Sequence, residues 1–177
     1  MKAELRKRLL NTRENIENKA QKCQQIEKNL TEQPFFETAQ TIMVYLSINS
    51  EVDTLELTKK MLLLGKRLCA PVCMAGGVMV ARSFSSLDEL TSGRYGILEP
   101  QGDEVFDIDL VLVPGLGFNE RFHRIGYGAG YYDRFLRNTS AITCGLFYDE
   151  QRADFLEESH DLPLDYIVTE TKILKRE

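Results

Sequence analysis

The sequence predicts an α/β fold, namely a single domain built as a three-layer α/β/α sandwich with a mostly parallel sheet. Segments such as TIMVYLSI (41–48) and DLVLVPG (109–115) are almost continuously apolar, as expected of strands that are buried on both faces. These segments alternate with helical patterns, and that alternation favours helices on both sides of a parallel sheet. Because no linker rich in proline, glycine or serine divides the chain, we expect residues 1–177 to form one domain.

The N-terminal segment is predicted to be one long helix. Apolar residues recur at steps of three, four and seven over residues 2–30, which predicts a single amphipathic helix that Pro34 ends. The β-branched run at 41–48 then predicts the first buried strand.

A helix and a hairpin are predicted next. Asp53, with Glu56 three residues later, predicts a capping box for a helix over 54–64. RLCAPVC (67–73) and VMVARSF (78–84) predict two strands that pair across a Gly-Gly turn.

The second half of the chain completes the alternation. Residues 87–102 predict a short helix followed by irregular chain, which could belong to a lid or to the wall of a site. After the strand at 109–115 we expect a long loop and then a helix over 130–138. AITCGLFY (141–148) and DYIVTE (165–170) predict two further strands.

Composition and charge argue against several classes of protein. Twenty-two basic and 27 acidic residues give a net charge of −5, which argues against a protein that binds nucleic acid over a broad basic surface. No apolar run approaches the roughly 20 residues that span a bilayer, and the N-terminus lacks the apolar centre of a signal peptide, so we expect a cytoplasmic protein. The four cysteines are expected to be buried thiols rather than zinc ligands.

The stretch RIGYGAGYYDRFL (124–136) follows a predicted strand end, which is where open α/β sheets bind ligands. Gly126, Gly128 and Gly130 free the backbone to adopt positive φ and to approach a ligand closely. The helix that follows offers unpaired N–H groups, and Arg124 adds a forked cation. These residues predict an anion site.

Aromatic and acidic residues in the same stretch extend this hypothesis. Tyr127, Tyr131 and Tyr132 offer flat surfaces for a ring system, and Asp133 offers oxygen ligands to a divalent metal. The glycines could equally make a simple turn, the tyrosines could be core residues, and an Asp is favoured in any first helical turn. The spacing matches neither the dinucleotide fingerprint nor the P-loop, so the residues alone leave both interpretations open.

A wider comparison adds a family resemblance. LVLVPGLGFNERFHRIGYGAGYYDRFL, with its RxGxGxGYYD core, resembles the 5-formyltetrahydrofolate cyclo-ligase family, also called 5,10-methenyltetrahydrofolate synthetase. KAELR at the N-terminus, YLSINSEVDT (45–54) and ESHDLPLDYIVTE (158–170) match in family order. The chain departs from the family pattern at two places. Asn119 stands where the family usually has Asp, and Phe122 and His123 stand where the family has a glycine before the arginine. At Tyr127 a basic residue also occurs in the family.

The resemblance implies an ATP- and Mg²⁺-dependent enzyme that cyclises 5-formyltetrahydrofolate to 5,10-methenyltetrahydrofolate and releases ADP and phosphate. Transfer of the γ-phosphoryl group to the formyl oxygen activates that oxygen, nitrogen 10 closes the ring, and phosphate leaves. The implied partners are therefore the folate and ATP, with no nucleic acid and no membrane. We expect a monomer or a weak homodimer.

The resemblance also implies site residues. Those for ATP are Lys2, Arg6, Arg124, Ile125, Gly126, Tyr127, Gly128, Ala129, Gly130, Tyr131 and Tyr132. Those for the folate are Leu46, Glu51, Tyr127, Gly128, Ala129, Gly130 and Tyr131. Asp133 and Asp161 would be the Mg²⁺ ligands, with His160 as a polar wall or only a neighbour.

The residues themselves are also compatible with other interpretations. Lys2, Arg6 and Arg13 could form a solvated helix face, and Glu51 could lie in an exposed loop. The chain could hold folate or nucleotide without turnover, as a binding protein on the same scaffold. A sugar-phosphate isomerase or a CoA-transferase-like enzyme is a third possibility, which depends on fold analogy alone.

Overall fold

The helices and strands are those of a computed structural model, which describes residues 2–177. Its α-helices are α1 (Lys2–Glu14), α2 (Lys19–Thr31), α3 (Pro34–Thr38), α4 (Leu55–Leu63) and α5 (Tyr131–Leu136). Its strands are β1 (Thr41–Met43), β2 (Arg67–Cys73), β3 (Met79–Phe84), β4 (Thr91–Ser92), β5 (Leu98–Glu99), β6 (Leu110–Val113), β7 (Gly117–Phe118), β8 (Arg124–Ile125), β9 (Ile142–Leu146), β10 (Tyr166–Val168) and β11 (Ile173–Lys175). None of the helices within 2–177 is long and apolar enough to cross a membrane.

The central sheet has seven strands in the order β11-β10-β9-β6-β1-β2-β3. The five inner strands run parallel, and β3 and β11 pair antiparallel at the two edges. All four residues of β6 are buried, which explains its continuous apolar sequence. The predicted α/β class with a mostly parallel sheet is confirmed.

Side chains of the inner strands alternate between two apolar layers. In β6, Leu110 and Leu112 face one cluster, and Val111 and Val113 face the other. The first cluster includes Ile26, Leu30, Phe35, Phe36, Leu57 and Met61 from α2, α3 and α4. The second includes Leu136 of α5 and Phe118 of β7. The sheet is therefore covered on both faces, with one short helix and the β7–β8 ribbon on the second face.

Substitution at the centre of the first layer is expected to be costly. Leu112 is completely buried, so Leu112→Ala removes apolar contacts and leaves a cavity. We expect the free energy of unfolding to fall by about 2–5 kcal/mol, measured by urea denaturation. Leu63→Ala is the matched control because Leu63 is 89% exposed, and it should change the value by less than about 0.5 kcal/mol. Equal effects of the two substitutions would contradict this assignment of the core.

The predicted helix over 2–30 is wrong in one respect, since the structure has two helices there. The chain turns between Glu14 and Lys19, and Asn18 adopts a left-handed backbone with φ 57°. The apolar pattern continues across the turn because Ile16 is itself buried. Pro34 does not end α2, which stops at Thr31; it begins α3, where its missing N–H costs nothing.

The first strand and the capping box also differ from expectation. The strand predicted over 41–48 pairs only as β1, although the backbone N–H of Val44 still bonds to Cys69. Helix α4 begins at Leu55 with Thr54 as its N-cap residue, so Asp53 lies one position before the cap, where its Oδ1 accepts from the Leu55 N–H at 2.9 Å. Glu56 does not complete a capping box, because its carboxylate pairs with Lys59.

The remaining differences between prediction and structure lie in the second half of the chain. The loop predicted after β6 contains the antiparallel β7–β8 ribbon. Residues 87–102 form two 3-10 turns and the β4–β5 hairpin instead of an α-helix. The helix predicted over 130–138 is limited to α5, and β11 lies beyond the last strand that the pattern predicted.

Candidate functional site

A cavity of about 440 Å³ lies beyond the carboxyl ends of β1, β2 and β6. This is the edge where open parallel sheets bind ligands. Every residue that the sequence predicted to bind ATP, folate or metal lines this cavity. The structure therefore brings together residues from α1, the loop after β1, residues 124–133 and the segment before β10.

Residues 124–130, here called the glycine-rich turn, comprise β8 and the loop that leads from it to α5. Gly128 and Gly130 have φ of 105° and 70°, values that side chains rarely allow. A Cβ atom on Gly128 would also lie 3.2 Å from the guanidinium carbon of Arg6, so a side chain there would displace Arg6 slightly in addition to straining the backbone. Arg134 stabilises the turn by donating a hydrogen bond from Nη2 to the carbonyl oxygen of Ala129 at 2.7 Å.

Helix α1 brings two cations to the cavity. Lys2 Nζ lies 2.8 Å from Asp161 Oδ2 and 3.2 Å from Glu158 Oε2. Burial alone would lower the pKa of Lys2, but hydrogen bonds and charges from both carboxylates raise it above its usual value. Arg6 Nε donates to the carbonyl oxygen of Gly126 at 3.0 Å. These contacts make the solvated-face interpretation wrong for Lys2 and Arg6.

Arg124 is the most buried cation among the residues that line the cavity, with 6% of its surface exposed. Its Nη2 lies 3.4 Å from Asp133 Oδ1, and its guanidinium lies over the ring of Tyr132 at 5.5 Å. Arg124 Nε and the Tyr132 hydroxyl are buried without a hydrogen-bond partner within residues 2–177. Because buried polar groups are normally paired, these two donors fit a ligand with oxygen acceptors such as a phosphate.

Glu51 is a buried carboxylate at the other side of the site, with 8% of its surface exposed. Its Oε2 accepts from the N–H of Ile48 at 2.9 Å, and its Oε1 accepts from the hydroxyl of Tyr127 at 3.0 Å. Burial raises the pKa of Glu51, while the Ile48 N–H, Arg13 and Tyr127 oppose that rise. The exposed-loop interpretation of Glu51 is therefore wrong.

A group of potential metal ligands lies beside Lys2. One ligand atom each from Glu158, His160 and Asp161 lie within 4.8 Å of one another. Burial raises the pKa of Asp161, but the Glu158 N–H and Lys2 outweigh it and hold that pKa below its usual range. Carboxylate oxygens are the ligands that Mg²⁺ prefers, so Glu158 and Asp161 fit that ion. Asp133 lies against Arg124 and is not part of this group.

Several lining residues escaped the sequence analysis. The hairpin β4–β5 contributes Arg94, Tyr95, Ile97 and Glu99, so the segment 87–102 is a wall of the cavity. The strand ends contribute Tyr45, Ile48, Pro71, Cys73, Met79 and Pro114. The rule that ligands bind at carboxyl strand ends would have indicated Cys73 and Pro114. Glu158 and the buried Arg13 gave no signal beyond ordinary surface charge.

The departures from the family pattern are accommodated in the β7–β8 loop. Phe122 adopts φ 66°, the left-handed conformation that the family's glycine would adopt freely. Asn119 is 2% exposed, and its side-chain oxygen accepts from the N–H groups of Arg121 and His123, both at 3.0 Å. Its amide nitrogen donates to the carbonyl oxygen of Phe155 at 3.2 Å, which an Asp could not do.

Comparison with known proteins finds relatives that all carry the name of one enzyme family. The model of the 5-formyltetrahydrofolate cyclo-ligase family matches residues 1–170. The chain is 32% identical over 146 residues to the 5-formyltetrahydrofolate cyclo-ligase of Escherichia coli K12, covering 76% of this chain and 80% of the relative. It is 27% identical over 170 residues to a probable 5-formyltetrahydrofolate cyclo-ligase of Schizosaccharomyces pombe, covering 84% and 83%.

Solved structures show the same likeness. The structure of 5,10-methenyltetrahydrofolate synthetase from Aquifex aeolicus superposes with a TM-score of 0.88 at 31% identity, over 98% of this chain and 92% of that one. The synthetase from Mycoplasma pneumoniae gives a TM-score of 0.79 at 25% identity, over 96% and 98%. The similarity thus extends over both the sheet and the residues around the cavity.

Proposed function

The chain belongs to the 5-formyltetrahydrofolate cyclo-ligase family, and we propose that the cavity beyond β1, β2 and β6 is its active site. The enzyme is an ATP-dependent cyclo-ligase that converts 5-formyltetrahydrofolate to 5,10-methenyltetrahydrofolate and releases ADP and phosphate. One observation carries the proposal: a single cavity joins a glycine-rich turn holding a buried arginine to a buried carboxylate, Glu51.

The chemistry requires activation of a poor electrophile. The formyl group on nitrogen 5 is amide-like, and its oxygen is a poor leaving group. Transfer of the γ-phosphoryl group of ATP to that oxygen gives an imidate phosphate and ADP. Nitrogen 10 then attacks the formyl carbon and loses its proton to solvent, and the C–O bond breaks with release of phosphate. The protein has to align the two substrates and neutralise the charge of the transferred group.

The ATP phosphates are proposed to lie along the glycine-rich turn. Arg124 lines the cavity and its Nε has no partner in the described chain, so its guanidinium would donate to a phosphate oxygen. Lys2 and Arg6 would hold the other phosphate oxygens from α1. The residues from Ile125 to Tyr132 would contact the nucleotide through their backbone and their tyrosine rings.

The folate is proposed to lie between Glu51 and the turn. A carboxylate has about four acceptor positions, and two of them on Glu51 are taken by Ile48 and Tyr127. The remaining two match the donor edge of the reduced pterin. Leu46 and the segment from Tyr127 to Tyr131 would form the walls around the ring.

Mg²⁺ is proposed to be held by carboxylates near the phosphates. Asp161 is a ligand in this account, with Glu158 beside it, and Asp133 is the second predicted ligand from the start of α5. The ion would neutralise phosphate charge, and Lys2 would share Asp161 with it. The support is the donor chemistry, since two carboxylates and phosphate oxygens suit octahedral coordination.

An isotope experiment tests the proposed phosphoryl transfer. With ¹⁸O in the formyl group of 5-formyltetrahydrofolate, we expect one ¹⁸O atom in each phosphate released, because the formyl oxygen leaves on that phosphate. Mass spectrometry of the phosphate measures the label. Unlabelled phosphate, with the label in water instead, would contradict attack of the formyl oxygen on ATP.

The setting of the enzyme is part of the proposal. We propose that residues 1–177 act as one domain, in the cytoplasm, as a monomer or a weak homodimer, on small molecules rather than on nucleic acid or membranes. The seven strands of the central sheet come from segments between residue 41 and residue 175, and this supports a single domain. The net charge of −5 supports a small-molecule substrate over nucleic acid.

A further inference from the structure

Arg13 is a buried arginine next to the proposed folate site, with only 1% of its surface exposed. It lies at the end of α1, and all three of its guanidinium nitrogens are engaged. Nε donates to Ser50 Oγ at 3.0 Å, and Nη1 donates to the carbonyl oxygen of Gly115 at 3.1 Å. Nη2 donates to the hydroxyl of Tyr127 at 2.7 Å. Such complete pairing indicates a side chain fixed in one orientation.

The contact with Tyr127 fixes the direction of a hydrogen-bond chain. An arginine can only donate, so the Tyr127 oxygen accepts from Arg13. The hydroxyl then directs its single proton to Glu51 Oε1, 3.0 Å away. With the Ile48 N–H on Oε2, both oxygens of Glu51 act as acceptors, an arrangement that favours the ionised form of the carboxylate.

The charge of Arg13 reinforces this arrangement. Burial and Glu51 raise the pKa of Tyr127 to about 12, so its hydroxyl stays protonated. Five ionisable side chains from different elements surround Glu51. They are Arg13 on α1, Tyr45 after β1, Tyr127 in the turn, Tyr132 on α5 and Tyr148 after β9. Cys23 of α2 contacts the Tyr148 hydroxyl from behind. Burial raises the pKa of the other phenols as well, so Arg13 is the cation in this set.

We propose that Arg13 is a positioning residue for folate binding, because it holds the Tyr127 hydroxyl as a donor to Glu51 and so keeps the carboxylate ionised and aimed into the cavity. The inference depends on the proposed role of Glu51 in binding the folate. It also connects α1 to the glycine-rich turn, because Arg6 and Arg13 of one helix hold Gly126 and Tyr127 of that turn. Arg13 itself does not line the cavity within the described chain.

Three substitutions separate the charge of Arg13 from its geometry. Arg13→Gln removes the charge, and Arg13→Lys keeps the charge but cannot span three acceptors. Tyr127→Phe removes only the relaying hydroxyl, and because the ring is half-exposed the substitution leaves the apolar core unchanged. Arg8→Gln is the matched control, because Arg8 is an exposed arginine on the same helix. Thermal unfolding of each variant checks its stability.

The readout is the Kd of 5-formyltetrahydrofolate, measured by calorimetry without ATP over a range of pH. Arg13→Gln is expected to weaken binding at least ten-fold at neutral pH and to move the acid limb of the binding profile upward by about one pH unit. Arg13→Lys should weaken binding with the acid limb unmoved. Tyr127→Phe should also weaken binding and move the limb upward, while Arg8→Gln should match the unmodified protein.

The outcomes distinguish this inference from the proposed function. Folate binding and an acid limb that stay unchanged in both Arg13→Gln and Tyr127→Phe would overturn the positioning role, even in an active enzyme. Absence of methenyl product from a protein whose folate binding responds to these substitutions as expected would contradict the proposed active site, and it would support the role of Arg13. Equal effects of Arg8→Gln and Arg13→Gln would assign the change to α1 as a whole and overturn the inference.

Discussion

Arg124→Gln is expected to lower kcat for methenyl formation about a thousand-fold, with a much smaller change in the KM for the folate. Arg124 is buried at the start of the glycine-rich turn, and its Nε has no partner in the described residues. A forked cation at that point stabilises the charge that spreads over the transferred phosphoryl oxygens. Glutamine keeps a hydrogen-bond donor and loses the charge, so the transition state is affected most.

Two further variants test the cause of this loss. Arg124→Lys should recover only part of the activity, because an ammonium group carries the charge without the planar fork. Arg152→Gln is the control, since Arg152 is an exposed arginine that pairs with Glu120 outside the cavity. Steady-state kinetics of the three proteins, with ATP and folate varied in turn, measure the effects. A fall in kcat of less than ten-fold for Arg124→Gln would contradict its contact with the reacting phosphate.

Glu51→Gln is expected to raise the KM for 5-formyltetrahydrofolate about a hundred-fold while the KM for ATP changes by less than about three-fold. The amide oxygen of Gln can still accept from the Ile48 N–H. Its NH₂ group, however, then faces the hydroxyl proton of Tyr127, so two donors meet. The pterin also loses an ionised acceptor, and a hydrogen bond to a charged group contributes more than one to a neutral group.

The informative result of that experiment is the difference between the change in the KM for the folate and the change in the KM for ATP. Glu56→Gln is the matched control, because Glu56 is an exposed glutamate on α4 that pairs with Lys59. Its kinetic constants should equal those of the unmodified enzyme. If Glu51→Gln changed the KM for ATP as much as the KM for the folate, the carboxylate would not be specific to the folate end of the cavity.

Much of the fold could be predicted because its strands are buried on both faces. The prediction for β2 agrees with the structure to the residue, and β6 lies within its predicted segment. Local sequence failed for some strands of two or three residues, namely the β7–β8 ribbon and β11. Such strands are too short to show an alternating pattern, and they form through pairing with distant parts of the chain.

The site shows the same division. The glycine-rich turn could be found because its spacing is local and unusual, and the structure shows that two of its glycines require positive φ. The role of Arg13 could not be found, because arginines on an amphipathic helix are usually exposed. Its burial depends on Ser50, Gly115 and Tyr127, which are far from it in sequence. The break between α1 and α2 was missed because the apolar pattern continues across it.

The most direct test of this account is the absorbance of the methenyl product when purified protein meets 5-formyltetrahydrofolate and Mg²⁺, with and without ATP. Asp133→Asn and Asp161→Asn are measured beside the unmodified enzyme, and calorimetry checks that each protein binds the folate. We expect a rise in absorbance that requires ATP, matches ADP release one for one, and falls strongly in both variants. A protein that binds the folate and shows no ATP-dependent rise would contradict the account and would leave a non-catalytic binding protein as the better description.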